Sequence, residues 1–369
     1  MQVLITGGAG FIGSHIADEL LRAGYRVRIL DSLIPQVHGD GGARPAYLAR
    51  EAELVVGDVR DASAVRRALR GVDAVFHLAA RVGVGQSMYE VAEYTSVNNH
   101  GTAVLLEALI AQPVQRLVVA SSMSVYGEGR YRDSAGAIHD HVQRSADAAA
   151  RHEWDPRGDD GEPLIPLPTP ESKPPALASL YALSKYDQER MCLVVGGAYQ
   201  IPTVALRFFN VYGPRQALSN PYTGVLAIFA ARYLNHKPPL LFEDGRQRRD
   251  FVHVRDVAAA CRLALEHRAA VGGVFNVASG QPLTIRTIAE RMAAALGVGC
   301  DPQVTGQFRV GDVRHCIADI EHARRVLGYE PKVELAAGMA ELAGWLAEQV
   351  AVDRIDDMRA DLVQRGLAR

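Results

Sequence analysis

The stretch Gln2-Val3-Leu4-Ile5-Thr6-Gly7-Gly8-Ala9-Gly10-Phe11-Ile12-Gly13 decides the fold. Its first five residues read as a short buried strand, and an amphipathic helix is expected from Ser14 to Ala23. A strand that enters a helix through glycines makes an anion site. Backbone without Cβ atoms can approach a pyrophosphate, and the helix N-terminus offers free N–H groups and a positive dipole. Two glycine registers are open, Gly8-x-Gly10-x-x-Gly13 and Gly7-x-x-Gly10-x-x-Gly13. A second strand, from Arg26 to Leu30, ends at Asp31, 18 residues beyond Gly13. An acid at that distance can hydrogen-bond ribose hydroxyls and repel a 2′-phosphate, which favours NAD over NADP. Its rival role is a local cap, and Arg44 and Arg50 nearby could soften the discrimination.

Working outward, a third strand from Glu53 to Val56 leads to Gly57-Asp58-Val59, and a helix from Ala62 to Arg70 leads to a fourth strand from Ala74 to Ala80. Strands alternating with helices predict an α/β chain with a doubly wound parallel Rossmann sheet. Ala79 and Ala80 fall at a strand's carboxyl end, the edge where such sheets bind ligands, while His77 reads as a packed core histidine. A long helix from about Val91 to Ala111 carries the polar patch Asn98-Asn99-His100, and the next strand ends in Ser121-Ser122-Met123-Ser124. Hydroxyls there can orient a substrate alcohol. Tyr181 and Lys185 stand four apart at the start of another helix, so their side chains share a face. A phenol of pKa about 10 becomes a useful base when a neighbouring cation stabilises its anion.

The expected domains are 1–206, binding the dinucleotide, and 207–369, mainly a smaller C-terminal α/β substrate-binding lobe, with segments of about 250–278 returning to the first. Residues 128–178, with seven prolines between Pro156 and Pro175, read as a long loop insertion and a lid over the substrate. Scattered Arg248, Arg249, Arg309 and Arg314 would suit a diphosphate if they converge. The stretch from Val350 to Arg369 reads as an amphipathic helix.

The 369 residues carry 40 basic and 42 acidic side chains, which excludes a global field for nucleic acid or an anionic membrane and favours a small-molecule partner. No apolar run reaches membrane-spanning length, and a first strand at Gln2 leaves no room for a secretory leader. Cys192, Cys261, Cys300 and Cys316 are widely spaced, as expected of reduced thiols in a cytoplasmic protein, and no metal site is expected.

In this order, the glycine stretch, Asp31, Asp58-Val59, the serine cluster and Tyr181-x-x-x-Lys185 resemble the extended short-chain dehydrogenase/reductase family over nearly the whole chain. Leu206-Arg207-Phe208-Phe209-Asn210-Val211-Tyr212-Gly213-Pro214, Arg249-Asp250-Phe251-Val252-His253-Val254 and Arg309-Val310-Gly311-Asp312 resemble its nucleotide-sugar epimerase and dehydratase branch. The resemblance implies that Tyr181 is the general base, that Ser122 hydrogen-bonds the substrate hydroxyl, and that Lys185 holds the nicotinamide ribose and lowers the tyrosine pKa. It implies an NAD site formed by Gly7, Gly10, Phe11, Ile12, Gly13, Asp31, Asp58, Val59, Leu78, Ala79, Ala80 and Asn98 with Tyr181 and Lys185. For a nucleotide-diphosphate sugar it implies Ser122, Ser124, Asn210, Val225, Leu226, Arg249, Arg309 and Asp312, and it implies a homodimer built on the helices near 91–111 and 181–196.

One departure narrows the chemistry. Dehydrating relatives carry Asp-Glu after the active-site threonine, and decarboxylating ones also carry a Glu, where this chain has Met123 and Ser124. Eliminating a C6 hydroxyl needs a placed acid and base, which a thioether and a hydroxyl do not supply. The implied reaction is therefore inversion at C4 through a 4-keto sugar. The segments Asn220-Pro221-Tyr222-Thr223-Gly224-Val225-Leu226 and Phe242-Glu243-Asp244-Gly245 resemble bacterial 4-epimerases of UDP-glucose-like or dTDP-rhamnose-like sugars. Two rivals share these residues: an NAD(P)-dependent 4-ketoreductase or dehydrogenase, and a non-catalytic dinucleotide sensor.

Overall fold

The computed structural model describes all residues except 219, 221, 223, 300, 310, 350–352 and 369. Expectations for Pro221, Thr223, Cys300 and Val310, and for the first and last residues of the 350–369 stretch, therefore lie outside the described residues.

Seven parallel strands form the main sheet, in the spatial order Val274–Val277, Thr203–Phe208, Arg116–Ser122, Ala74–His77, Gln2–Thr6, Arg26–Asp31, Glu53–Val56. The order reverses between Gln2–Thr6 and Ala74–His77, which opens a crevice at the carboxyl ends of those strands. Alternation along each strand splits the core in two. Val3 and Ile5 face one layer with Ile16, Leu20, Val257 and Cys261, whereas Leu4 faces the other with Val65, Leu69, Leu105 and Cys192. Each such side chain contributes about 1.5–3 kcal/mol on burial. Because both faces are covered by helices, the strands read as continuous apolar runs.

The boundary expected at 206 falls inside the strand Thr203–Phe208. Of the returning segments, Val274–Val277 is an edge strand of the main sheet, and the helix Val254–Glu266 shares the first apolar layer with the helix Phe11–Arg22.

A second sheet runs Asn210–Tyr212, Arg248–His253, His315–Ala318, Ile165–Thr169, Arg130–Arg132, Ile138–His139. Three of these six strands come from 128–178, so the expectation of a plain loop is corrected. The insertion is a buttress. Glu128 Oε1 accepts the Arg314 N–H at 2.6 Å, and Asp155 pairs with Arg314 Nε at 2.7 Å and His315 Nε2 at 3.2 Å. Asp140 pairs with Arg130, and His139 with Asp133. The helices Val225–Leu234, Ile285–Leu296 and Leu335–Leu346 close a third apolar cluster around Phe229, Ile288, Met292 and Leu342.

Among the described residues no helix is long and apolar enough to cross a membrane. Cys192, Cys261 and Cys316 are buried free thiols, all pushed up by burial.

Candidate active site

The glycine turn shows which register is used. Gly7 adopts φ +70°, and a Cβ there would lie 2.8 Å from the Ala79 nitrogen; at Gly13 it would lie 2.6 Å from both the Gly7 oxygen and the Gly8 Cα. Gly7, Gly10 and Gly13 line the groove at the crevice, with Phe11 and Ile12, whereas a Cβ on Gly8 would meet the Ile29 side chain. The operative spacing is thus Gly7-x-x-Gly10-x-x-Gly13.

Asp31 lines the same groove and holds backbone N–H groups on both sides. One carboxylate oxygen accepts the Ala9 N–H at 3.0 Å and the other the Leu33 N–H at 2.9 Å. Arg44, by contrast, donates to the Ala49 and Ala52 carbonyls. Asp58 and Val59 stand at the groove's far end, where Arg60 Nη2 pairs with Asp58 at 2.6 Å and holds its carboxyl below the usual range. Leu78, Ala79 and Ala80 form the wall that abuts Gly7.

Asn98 departs from expectation. It sits in a π-helical turn, Thr95–His100, that wedges the long helix apart, and it lies behind the groove wall. Its amide accepts the Arg81 N–H at 2.7 Å and donates to the Arg81 carbonyl at 3.1 Å and to Ser184 Oγ at 2.8 Å. With its amide committed to protein partners, Asn98 positions the loop after Ala80 and the Tyr181 helix rather than lining the groove.

The helix Leu180–Ala198 begins at Ser179, whose hydroxyl accepts the Ala182 N–H at 3.1 Å. Tyr181 and Lys185 both face the groove. Tyr181 keeps part of its surface open to the cleft, yet its phenol sits deep, and burial pushes it above its ordinary pKa while Ser122 pulls it down. Ser122 Oγ accepts the Ser124 N–H at 3.2 Å and the Ser124 hydroxyl at 2.9 Å, leaving its own proton to donate toward the site. Burial lowers the Lys185 ammonium to about 8. It donates to Gln188 Oε1 at 2.6 Å and, one helical turn from Tyr181, lines the same groove.

Gln188 was not anticipated. Its amide donates to the Ala79 carbonyl at 3.2 Å and to Thr102 Oγ1 at 2.9 Å, linking the helix to the sheet edge, and its i+3 spacing from Lys185 was the available signal. His77 is a core group: it contacts Thr6 Oγ1 and Thr102 Oγ1, each at 2.8 Å, and burial with the Lys185 charge lowers it to about 3.

A second cavity continues from the first at Ser122, Tyr181, Asn210, Tyr222 and Val225, and Ser124, Arg249, Arg309 and Asp312 line its outer part. Leu226 faces only the first. Arg249 Nη2 and Arg309 Nη2 bind opposite oxygens of Asp312, at 3.1 and 2.8 Å. Burial works to raise that carboxyl, but Arg309, Arg249 and Arg144 overcome it and hold it well below the usual range. The Arg309 guanidinium lies 4.6 Å over the Phe242 ring, and its Nε, like Asn210 Oδ1, has no partner among the described residues. Arg314 does not converge here but is buried against Glu243, Asp244 and Asp155, and Arg248 lines neither cavity. Among the described residues the insertion lines the cleft through Ala178 beside Ser179, and its Arg144 donates to the Asp312 carbonyl from behind.

The residues present fit a dinucleotide: a cradle that Cβ atoms would fill, an acid at the ribose distance, and Lys185 facing the groove between Ala79 and Tyr181. Fold and site together define a Rossmann-type dinucleotide-binding architecture with a second cleft joined to the cofactor groove. Residues 3–150 and 157–278 match the NAD dependent epimerase/dehydratase family, to which this chain belongs and whose cofactor is NAD. It is 37% identical to a dTDP-L-rhamnose 4-epimerase of Burkholderia thailandensis, over 95% of this chain and 96% of that protein. The UDP-glucose 4-epimerase of Thermotoga maritima, solved with UDP-glucose, superposes with TM-score 0.77 at 31% identity, covering 94% and 99% of the two chains. That of Thermus thermophilus, solved with NAD, gives 0.75 at 32%, covering 95% and 100%.

Proposed function

We propose that the protein is a nucleotide-sugar 4-epimerase that inverts C4 of a UDP- or dTDP-linked hexose through a transient 4-keto sugar, with NAD retained between turnovers. The observation that carries this reading is the seam where the groove and the cleft share Ser122 and Tyr181. A sugar held by Arg249 and Arg309 at its diphosphate extends toward those two hydroxyls. Tyr181, as the phenolate that the Lys185 ammonium one helical turn away favours against the effect of burial, takes the proton of the C4 hydroxyl; Ser122 donates to the same oxygen and orients it, and Lys185 also binds the ribose. Bound NAD supplies a reversible store for the C4 hydride. Once the flat 4-keto sugar has turned in the cleft, Tyr181 gives its proton back to the C4 oxygen.

Elimination and decarboxylation are disfavoured by the cleft's charges. Among the described residues lining it the carboxylate is Asp312, tied to two arginines, while Met123 and Ser124 follow Ser122. Exposed Val91, Leu183 and Val194 on adjacent helices support a homodimer through that face, to be checked by sedimentation.

The test is to incubate the purified protein with UDP-glucose or dTDP-L-rhamnose, without added nicotinamide, and follow the sugar by NMR. Inversion at C4 with no change in nicotinamide absorbance is expected; stoichiometric consumption of added NADH would instead make it a reductase.

A further inference from the structure

The tail beyond the family match contributes to the cleft. The helix Ile355–Gln364 and the turn after it place Met358, Leu362 and Leu367 in the same cavity as Ser122, Arg249 and Arg309. These side chains do not merely fill space on the small lobe. They form an apolar cluster with Leu240, Ile355 and Ala368, against which Tyr89, Tyr222 and Ile228 pack.

The tail is fastened on several sides of the cleft. At its start Asp353 and Asp356 both pair with Arg232 Nη1, at 3.3 and 2.9 Å, and with Lys237 Nζ, at 3.0 and 3.1 Å. Along its middle Arg359 Nε donates to Gln307 Oε1 at 2.8 Å, and Leu362 packs over Gly85, where a Cβ would come within 3.4 Å of its Cδ2. Farther on, the Arg365 guanidinium lies 4.2 Å over the Tyr89 ring, whose hydroxyl meets that of Tyr222 at 2.5 Å. At the end Ala368 forms an antiparallel bridge with Arg309. The tail therefore spans from the loop after the fourth strand of the main sheet to the arginine that faces the diphosphate.

Resting on the reading of the cleft as a sugar-nucleotide site, we infer that this C-terminal helix is its roof, and that Met358 and Leu362 are substrate-binding residues which cover the bound nucleotide sugar with apolar surface. Apolar atoms on this side and arginines on the other divide the labour: the arginines fix the diphosphate, and the roof removes the less polar faces of the ligand from water. Tyr222, which lines both cavities, is held from behind by Tyr89 and so by Arg365. Seating the roof thereby also positions a side chain at the seam.

The experiment uses the full chain carrying its cofactor. Binding of UDP and of dTDP is measured by calorimetry, turnover by NMR, and fold by thermal melting and NAD content, for the wild type and for Met358→Ala, Leu362→Ala, Leu362→Met and Asp353→Ala. Met358→Ala and Leu362→Ala are expected to weaken nucleotide binding and raise KM about tenfold with kcat and NAD content kept, and Leu362→Met to restore both. Asp353→Ala, which loosens the tail without touching the cleft, is expected to act in the same direction. Melting temperatures that fall while binding and KM stay at wild-type values overturn the roof and make the tail a structural strap. A wild type that binds UDP or dTDP through the roof but does not epimerise leaves the roof standing and removes the proposed reaction. A wild type that binds neither nucleotide overturns the roof as well.

Discussion

Around the glycine turn the walls are backbone: Gly7 and Gly13 are held in place by main-chain neighbours, and Asp31 is fixed by two N–H donors. Around Arg309 the walls are long side chains whose positions depend on segments far away in sequence: Arg144 from the insertion, Phe242 from the second half, Ala368 from the tail. A backbone-built site tolerates almost no change of shape, whereas a side-chain-built site can lose one contact and keep its form. The cofactor half should thus fail abruptly when altered, and the substrate half by degrees.

At the seam, which belongs to both halves, Tyr181→Phe has the largest expected effect. The phenyl ring preserves the packing while the proton carrier is lost, so kcat should fall by about 10³-fold with NAD content and nucleotide affinity kept. Retained turnover in that variant removes Tyr181 as base. Next comes Gly13→Ala in the cofactor half. Its new Cβ meets backbone at 2.6 Å on two sides, and backbone cannot step aside as a flexible side chain can. NAD co-purifying with this variant should drop about tenfold or more, and full NAD content would break the contrast between the two halves. In the substrate half Arg309→Met keeps a hydrophobic stem over Phe242 but removes the charge, so KM should rise about tenfold while kcat and NAD content stay near wild type. A collapse of NAD content there would show that the two halves are not separable.

The same contrast explains what the sequence could reveal. Local patterns make the cofactor half: strand, glycines, helix, then an acid at a set distance, all within 31 residues. Even there the glycine register needed three dimensions, because it depends on which Cβ would strike Ala79 and which would strike Ile29. Asn98 looked like a wall residue, and only the paths of Arg81 and Ser184 show that its amide is already taken. The second sheet was hidden because Ile165–Thr169 contains Pro166 and Pro168, which argue against a strand, although it pairs on both sides here. Arg309 stands out in sequence through its segment with Gly311 and Asp312, whereas the fate of Arg314 is set by Glu243 and Asp244, which lie far from it along the chain and neutralise it.

The smallest expected effect is one of pH, and it also separates the halves. His15, on the first helix, is lowered to about 4 by burial and then by Arg215; His77, in contact with Gln188 of the Tyr181 helix, is lowered to about 3 by burial and then by Lys185. Against an unfolded value of about 6.5, the unfolded chain takes up protons that these folded sites refuse, so stability falls as pH drops below 6.5 and goes on falling until the folded groups titrate. His253, beside His15, behaves alike at about 4, and His315 in the second sheet is lowered too, though Asp155 partly holds it up. Carboxyls of the substrate half such as Asp312 and Asp155 are held well below their usual range, so their ion pairs give way only in stronger acid. Between pH 7.5 and 5.5 each strongly lowered histidine should therefore cost about 1 kcal/mol, read as a shift of the urea midpoint. His15→Gln removes one titrating group from the cofactor half and should flatten that slope. An unchanged slope would place the acid sensitivity elsewhere, and a steeper one would reverse the sign assigned to His15.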